Sequence, residues 1–187
     1  MRNPWIVSVL STGYDLKEYR HALIAMLKEK NFEVSAYELP EFPVECDRFS
    51  HDSCLVALQR VDIALVIINK RSGGIYSGID DNKNQISITE AEYLDAIRKG
   101  IPVFVFVKKE SYDELHGYKK EFKDYCKKNN ILADVGEIKK ARDQFDSEYI
   151  CKYVESVKTL HFIEDVQNAY KKNAVSNWMD FFDDIES

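Results

Sequence analysis

The sequence lacks any stretch of roughly 18–20 apolar residues, the length a membrane-spanning helix requires. Its longest apolar runs are 61–68, interrupted by Asp62, and Ile101–Val107, and both have the length of strands. The opening Met1-Arg-Asn-Pro-Trp has no apolar core followed by a small-residue cleavage site, so it does not have the shape of a signal peptide. These absences predict a cytoplasmic protein with no membrane partner. Positive charge is also in short supply: 26 Lys and Arg stand against 32 Asp and Glu, for a net charge of −6. A nucleic-acid footprint ordinarily needs a basic face, so no nucleic-acid partner is expected, although lysines cluster at 117–128 and 138–142.

The four cysteines (46, 54, 126 and 151) have no metal-ligand spacing. Cys46 and Cys54 lie eight apart with His51 between them, a pattern better read as reduced core cysteines than as a zinc site. No metal is expected. Internal repeats, low-complexity segments and a domain-dividing linker are all missing. Neither a Walker loop nor the glycine fingerprint of a dinucleotide fold is present.

What remains is enough for a core. The chain has 187 residues, 45% hydrophobic and 31% charged, which suits one domain spanning 1–187. Apolar runs alternate with helical patterns. Strands are predicted at Trp5–Leu10, Phe32–Tyr37, Asp62–Ile68 and Pro102–Val107. The third is almost wholly apolar, as a strand covered on both faces should be. Helices are predicted at Asp15–Lys30, Ser50–Arg60 and Thr89–Lys99, the last stopped by Gly100 and Pro102. Further on, Ser111–Lys128 reads as a charged helix, Ile131–Val135 as a short edge strand, and Asp146–Lys172 as one long helix. The tail Trp178-Met-Asp-Phe-Phe-Asp-Asp-Ile mixes aromatics with acids.

Alternating strands and helices imply parallel strands with right-handed crossovers. The expected fold is α/β: a flavodoxin-like open parallel sheet of four to five strands, with helices on both faces. The core would span about 5–137, and a C-terminal helical extension about 146–187. Such sheets bind ligands at the carboxyl ends of their strands. That rule selects the loops Leu10–Tyr14, Glu38–Asp47, Asn69–Ile88 and Lys108–Ser111.

In the first loop, Ser11 and Thr12 offer hydroxyls and backbone N–H groups at a helix N-terminus, a natural anion site. Asp15 stands where a cap would stand. The plainer reading is capping, with Arg20 on the surface. In the third loop, Asn69-Lys-Arg-Ser-Gly-Gly-Ile-Tyr, Arg71 and Tyr76 can meet a phosphate and a base or ribose. The same residues also suit a simple surface loop. Next comes Ser87-Ile-Thr-Glu-Ala-Glu-Tyr. Glu90 and Glu92 fall about 200° apart on a helix and cannot share a face. Glu90 has the spacing of a capping-box partner for Ser87. Glu92, with Tyr93 near it, can act at a sugar carbon as nucleophile or oxocarbenium stabiliser. Both glutamates equally suit the helix dipole alone.

The order of these motifs resembles a bacterial family of uncharacterised domains with the pattern SSTxxDLxxxR … RYG … SITExEY … GKPV. That family is itself similar to TIR domains and nucleoside 2-deoxyribosyltransferases. The resemblance covers about residues 5–108. Leu10 departs from it by replacing the first serine, and Arg71-Ser-Gly-Gly departs from arginine–tyrosine–glycine. In those relatives a catalytic glutamate opens a helix that ends at a glycine eight residues later. Glu92 and Gly100 have that spacing, so the resemblance points to Glu92 as the catalytic carboxylate. Ser11, Thr12, Asp15, Arg71, Tyr76 and Tyr93 are the expected substrate-binding residues.

The implied activity is an NAD-processing N-glycosidase, either an NAD hydrolase or a synthase of a cyclic ADP-ribose-type signal, in bacterial antiphage defence. NAD would be a substrate and not a cofactor. The alternatives are a nucleoside or nucleotide N-glycosidase or deoxyribosyltransferase, and a non-catalytic nucleotide-sensing or assembly module. A homo-oligomer or a partner effector protein is compatible with the long helix and the aromatic tail.

Overall fold

A computed structural model describes residues 4–42, 50–76, 86–131, 134–172 and 177–184. Five strands form one sheet: β1 (Ile6–Leu10), β2 (Glu33–Ser35), β3 (Ile63–Ile68), β4 (Val103–Lys108) and β5 (Asn177–Phe182). Their order is β2-β1-β3-β4-β5, and every neighbouring pair is parallel. This is the flavodoxin-like order, in which the chain reverses direction between β1 and β3 and opens a crevice there.

Burial on both faces explains the continuous apolar runs. Ala64, Val66 and Ile68 of β3 pack on one side with Val103, Val105 and Val107 of β4. Against them lie α3 (Ile88–Arg98), α4 (Lys109–Lys128), α5 (Val135–Glu148) and α6 (Val157–Lys172). Tyr93, Leu115, Tyr118, Phe145, Leu160 and Phe162 supply the helical half of that core. On the other side, Val7, Val9, Val34 and Ile67 meet α1 (Lys17–Glu29) through Ile24 and Leu27. The remaining helix, α2 (Ser50–Ala57), runs into a 3-10 turn at Leu58–Arg60.

The C-terminal part differs from its sequence pattern. The helical extension expected over 146–187 ends in a strand: β5 joins the sheet along the whole of β4. Met179 packs inward, while Trp178 and Phe181 are 53% and 42% exposed. The single helix expected at 146–172 is two helices, α5 and α6. The break between them is fastened by Glu114 of α4, a buried carboxylate that accepts the backbone N–H groups of Lys152, Tyr153 and Val154 at 2.5, 2.8 and 2.7 Å. Three N–H groups in non-helical backbone therefore have partners, and the helical stripe of apolar residues does not decide the matter. Ile131–Val135 contains no strand among its described residues. Val135 begins α5 and is capped by Asp134, whose side chain accepts from Gly136 and Glu137. The loop expected at Lys108–Ser111 is missing too, since β4 runs directly into α4.

No helix among the described residues is long and apolar enough to cross a membrane.

Candidate active site

Ser87 begins α3 as its N-cap, two residues before the expected start at Thr89, and its hydroxyl accepts the N–H of Glu90 at 3.1 Å. The Glu90 carboxyl reaches back to the backbone of Ser87, which completes a capping box. Helical spacing then turns Glu92 to a different side. Glu90 lines a surface pocket with Asp143, His161 and Asp165, whereas Glu92 lines the crevice at the sheet edge.

That crevice is a cavity of about 530 Å³ at the carboxyl ends of β1, β2 and β3. Ser11, Thr12, Gly13 and Tyr14 form one wall, directly after β1. Tyr37 and Phe42 come from the segment after β2, and Ser53 and Cys54 from α2. Arg71, Gly73 and Gly74 lean in from the segment after β3, while Ile88, Thr89 and Glu92 belong to α3. Gly73 has φ +97° and lies so near Thr12 and Thr89 that an added Cβ would stand 3.3 Å from Thr12 Cγ2. Only glycine adopts this backbone at that separation without strain.

Glu92 is only 8% exposed. Burial pushes its carboxyl up to about 7, against the opposing hydrogen bond from Cys54 and the positive charge of Arg20. Burial and the adjacent Glu92 push the Cys54 thiol up to about 12, so it remains a thiol and donates. Tyr37 is likewise raised, by burial first, with Arg20 opposing and Glu92 adding. A carboxyl held near neutrality in an aromatic-lined cavity can exist as acid or base at physiological pH.

Arg20 is not the surface arginine that its spacing suggested. It is 1% exposed and lies beneath the cavity, bonded to Ser11 and Glu38. The helix turns it inward because the position shares a face with Leu16 and Ile24, both buried.

The expected site residues divide into two groups. Ser11, Thr12, Arg71 and Glu92 meet around the cavity. Asp15, Tyr76 and Tyr93 lie outside its lining. Asp15 does not cap α1, whose N-cap is Leu16 without a side-chain bond; it accepts the Thr12 hydroxyl instead and so steadies the first wall. Tyr76 is buried, and its hydroxyl donates to Asp52 at 3.3 Å. Tyr93 is 2% exposed and packs edge-on against Phe162, with ring centroids 5.7 Å apart. One helical step from Glu92 has rotated it about 100° into the core. Arg71 pairs with Glu155 at 2.9 Å and lies 5.1 Å from the centre of the Tyr14 ring.

Sequence reasoning passed over Tyr14, Tyr37, Phe42 and Cys54 as site residues. Tyr14 stood inside a selected loop, and Tyr37 one residue before another. Nothing in the spacing of Cys54 announced that α2 would present it to α3. Cys46, its supposed companion, lies outside the described residues.

Fold and site together define a flavodoxin-like α/β protein with a carboxylate-bearing cavity at the switch point of its sheet. The chain belongs to the family described as "Domain of unknown function (DUF4062)", whose model matches residues 7–183. The match takes in β5 as well as the N-terminal motifs. No curated protein matches the chain.

Proposed function

We propose that the protein cleaves an N-glycosidic bond and that NAD is its substrate. The observation that carries this reading is the Glu92 carboxyl, buried at the cavity wall and poised near neutrality. The similarity of the N-terminal motifs to TIR domains and nucleoside 2-deoxyribosyltransferases gives it the same role. The aromatic rings of Tyr14, Tyr37 and Phe42 suit a flat heterocycle. Ser11, Thr12 and the Arg71 guanidinium suit phosphate oxygens.

In this reaction the bond between ribose C1′ and the nicotinamide nitrogen breaks. Its electron pair leaves with nicotinamide, which becomes neutral. The Glu92 carboxylate stabilises the resulting oxocarbenium ion or bonds to C1′. Water then adds at C1′ and releases a proton, giving ADP-ribose. Attack by a nitrogen of the same molecule's adenine gives a cyclic product instead. A role in antiphage defence, a cytoplasmic location and a working homo-oligomer or partner effector belong to the same reading.

A second reading is nucleoside or nucleotide N-glycosidase or deoxyribosyl transfer. It is favoured by one observation: the only cationic side chain on the cavity wall among the described residues, Arg71, is already paired with Glu155. A substrate with less negative charge than a dinucleotide fits that arrangement.

The test is mass spectrometry of NAD and nucleotide pools after expression of wild type and Glu92→Gln, during phage infection and without it. NAD loss with ADP-ribose or a cyclic product, abolished in Glu92→Gln, is the expected result. Release of free base from a nucleoside panel with NAD untouched selects the second reading. Tight nucleotide binding without turnover identifies a sensing or assembly module and removes both.

A further inference from the structure

Arg20 is the largest fully buried side chain among the described residues, yet neither reading of the reaction uses it. Its donors are divided between two places. Nη1 donates to the carbonyl of Val9 at 3.0 Å, where β1 ends, and to Ser11 Oγ at 2.8 Å. Nε and Nη2 donate to the two oxygens of Glu38 at 2.8 and 2.5 Å. The Tyr37 ring lies over the guanidinium, its centroid 4.6 Å away. Ser11 and Tyr37 face the cavity from opposite segments, one after β1 and one after β2.

We propose that Arg20 is the positioning residue of this cavity: one buried guanidinium ties the Ser11 wall to the Tyr37–Glu38 wall and fixes their separation before Glu92.

The planar fork of arginine is required for this, because it bonds in two directions at once with fixed geometry. A lysine at the same position keeps the charge and loses the span. Stability alone is a weak reason for such a pair, since buried ion pairs are often replaceable by apolar residues of similar volume. The position of the pair is informative: each end grips a segment that lines the cavity. Its charge also acts on the catalytic group. Arg20 opposes the upward push of burial on Glu92, and the Glu38 carboxylate partly neutralises Arg20. The hydrogen bond from Arg20 holds the Glu38 carboxyl below its usual range, even against burial.

The kinetic part of the test rests on the glycosidase reading, and two other parts do not. Hydrogen exchange is followed on the segments 9–14 and 36–39 in wild type and Arg20→Lys. Faster exchange in both segments together, with β4 and α6 unchanged, is expected. A change in only one segment, or in neither, overturns the proposal. The Glu92 carboxyl is titrated by carbon NMR, with its signal assigned through Glu92→Gln. Arg20→Met should raise its midpoint and Glu38→Gln should lower it, a pair of opposite shifts that a merely structural role does not produce. Identical midpoints overturn the electrostatic part. If Arg20→Met fails to fold, Arg20→Lys and Glu38→Gln still decide. With NAD turnover, Arg20→Lys should raise KM on the order of tenfold and change kcat less. An unchanged KM overturns the proposal, whereas absence of turnover in wild type counts against the glycosidase reading alone.

Discussion

The Cys54 thiol donates a hydrogen bond to the Glu92 carboxyl at the cavity, joining α2 to α3. A donor stabilises the carboxylate over the carboxylic acid. Cys54→Ala should therefore raise the pH at which Glu92 ionises, and move the acid limb of kcat/KM upward. Cys54→Ser keeps a hydroxyl donor and should stay near wild type. Profiles for the three proteins between pH 5 and 9 check this (the range spans the midpoint of about 7). Coincident limbs for alanine and wild type would show that the thiol has no hold on Glu92.

Activity that depends on the Glu92 carboxylate should rise with pH through about 7 in kcat/KM, which reports the free enzyme. The limb in kcat should lie lower when NAD is the substrate. The pyridinium charge of the bound substrate favours the ionised carboxyl, as any neighbouring positive charge does. Measuring both parameters on one set of buffers separates the two limbs.

Glu92 should also make folding stability fall as pH rises. Its folded value, about 7, lies above the ordinary 4.5, so the folded protein holds the proton longer than the unfolded chain does. The contribution is fully present below 4.5 and is lost as pH rises through 7. The gap corresponds to about 3 kcal/mol at full ionisation. Glu92→Gln has no proton to lose and should melt higher than wild type at pH 8, while matching it near pH 4. Thermal unfolding at the two pH values checks the sign.

Gly73→Ala should loosen the crevice and spare the fold. The left-handed φ of +97° costs a residue with a Cβ about 1–2 kcal/mol. The new methyl also presses on Thr12 and Thr89 at 3.3 and 3.4 Å. A raised KM and a melting temperature lower by about 2–8 °C, with the cooperative transition kept, are expected, read by kinetics and calorimetry.

Glu114→Ala should be strongly destabilising. It strips three buried or half-buried N–H groups of the 152–154 segment of their acceptor. Each unsatisfied donor costs about 1–3 kcal/mol, less where water can enter. A loss of at least about 3 kcal/mol is expected from denaturant unfolding.

Much of the fold could be read directly. The runs at 63–68 and 103–108 are apolar at every position except Lys108, because both faces of the sheet are covered there. Alternation with helices then implied parallel pairing. The separation of Glu90 from Glu92 was equally legible, since it follows from the pitch of a helix. Periodicity failed past 146, where the apolar stripe continues through Ile150 although that side chain is 82% exposed. Residues whose roles depend on partners distant in sequence were also hidden. Arg20 meets Glu38, eighteen residues away, and Glu114 meets Val154, forty away.

The sequence by itself determined the α/β class, the edge of the sheet where the crevice opens, and that two nearby glutamates turn to different sides. These depend on periods of two and 3.6 residues and on the direction of the strands, all local properties of the chain. The tertiary structure alone decided that Tyr93 and Tyr76 leave the site, that Tyr37 and Cys54 enter it, and that Arg20 lies beneath it. It also decided that Glu92 ionises near neutrality. That value arises from desolvation, opposed by the hydrogen bond from Cys54 of α2 and the charge of Arg20 of α1, which reach Glu92 only when the chain has folded.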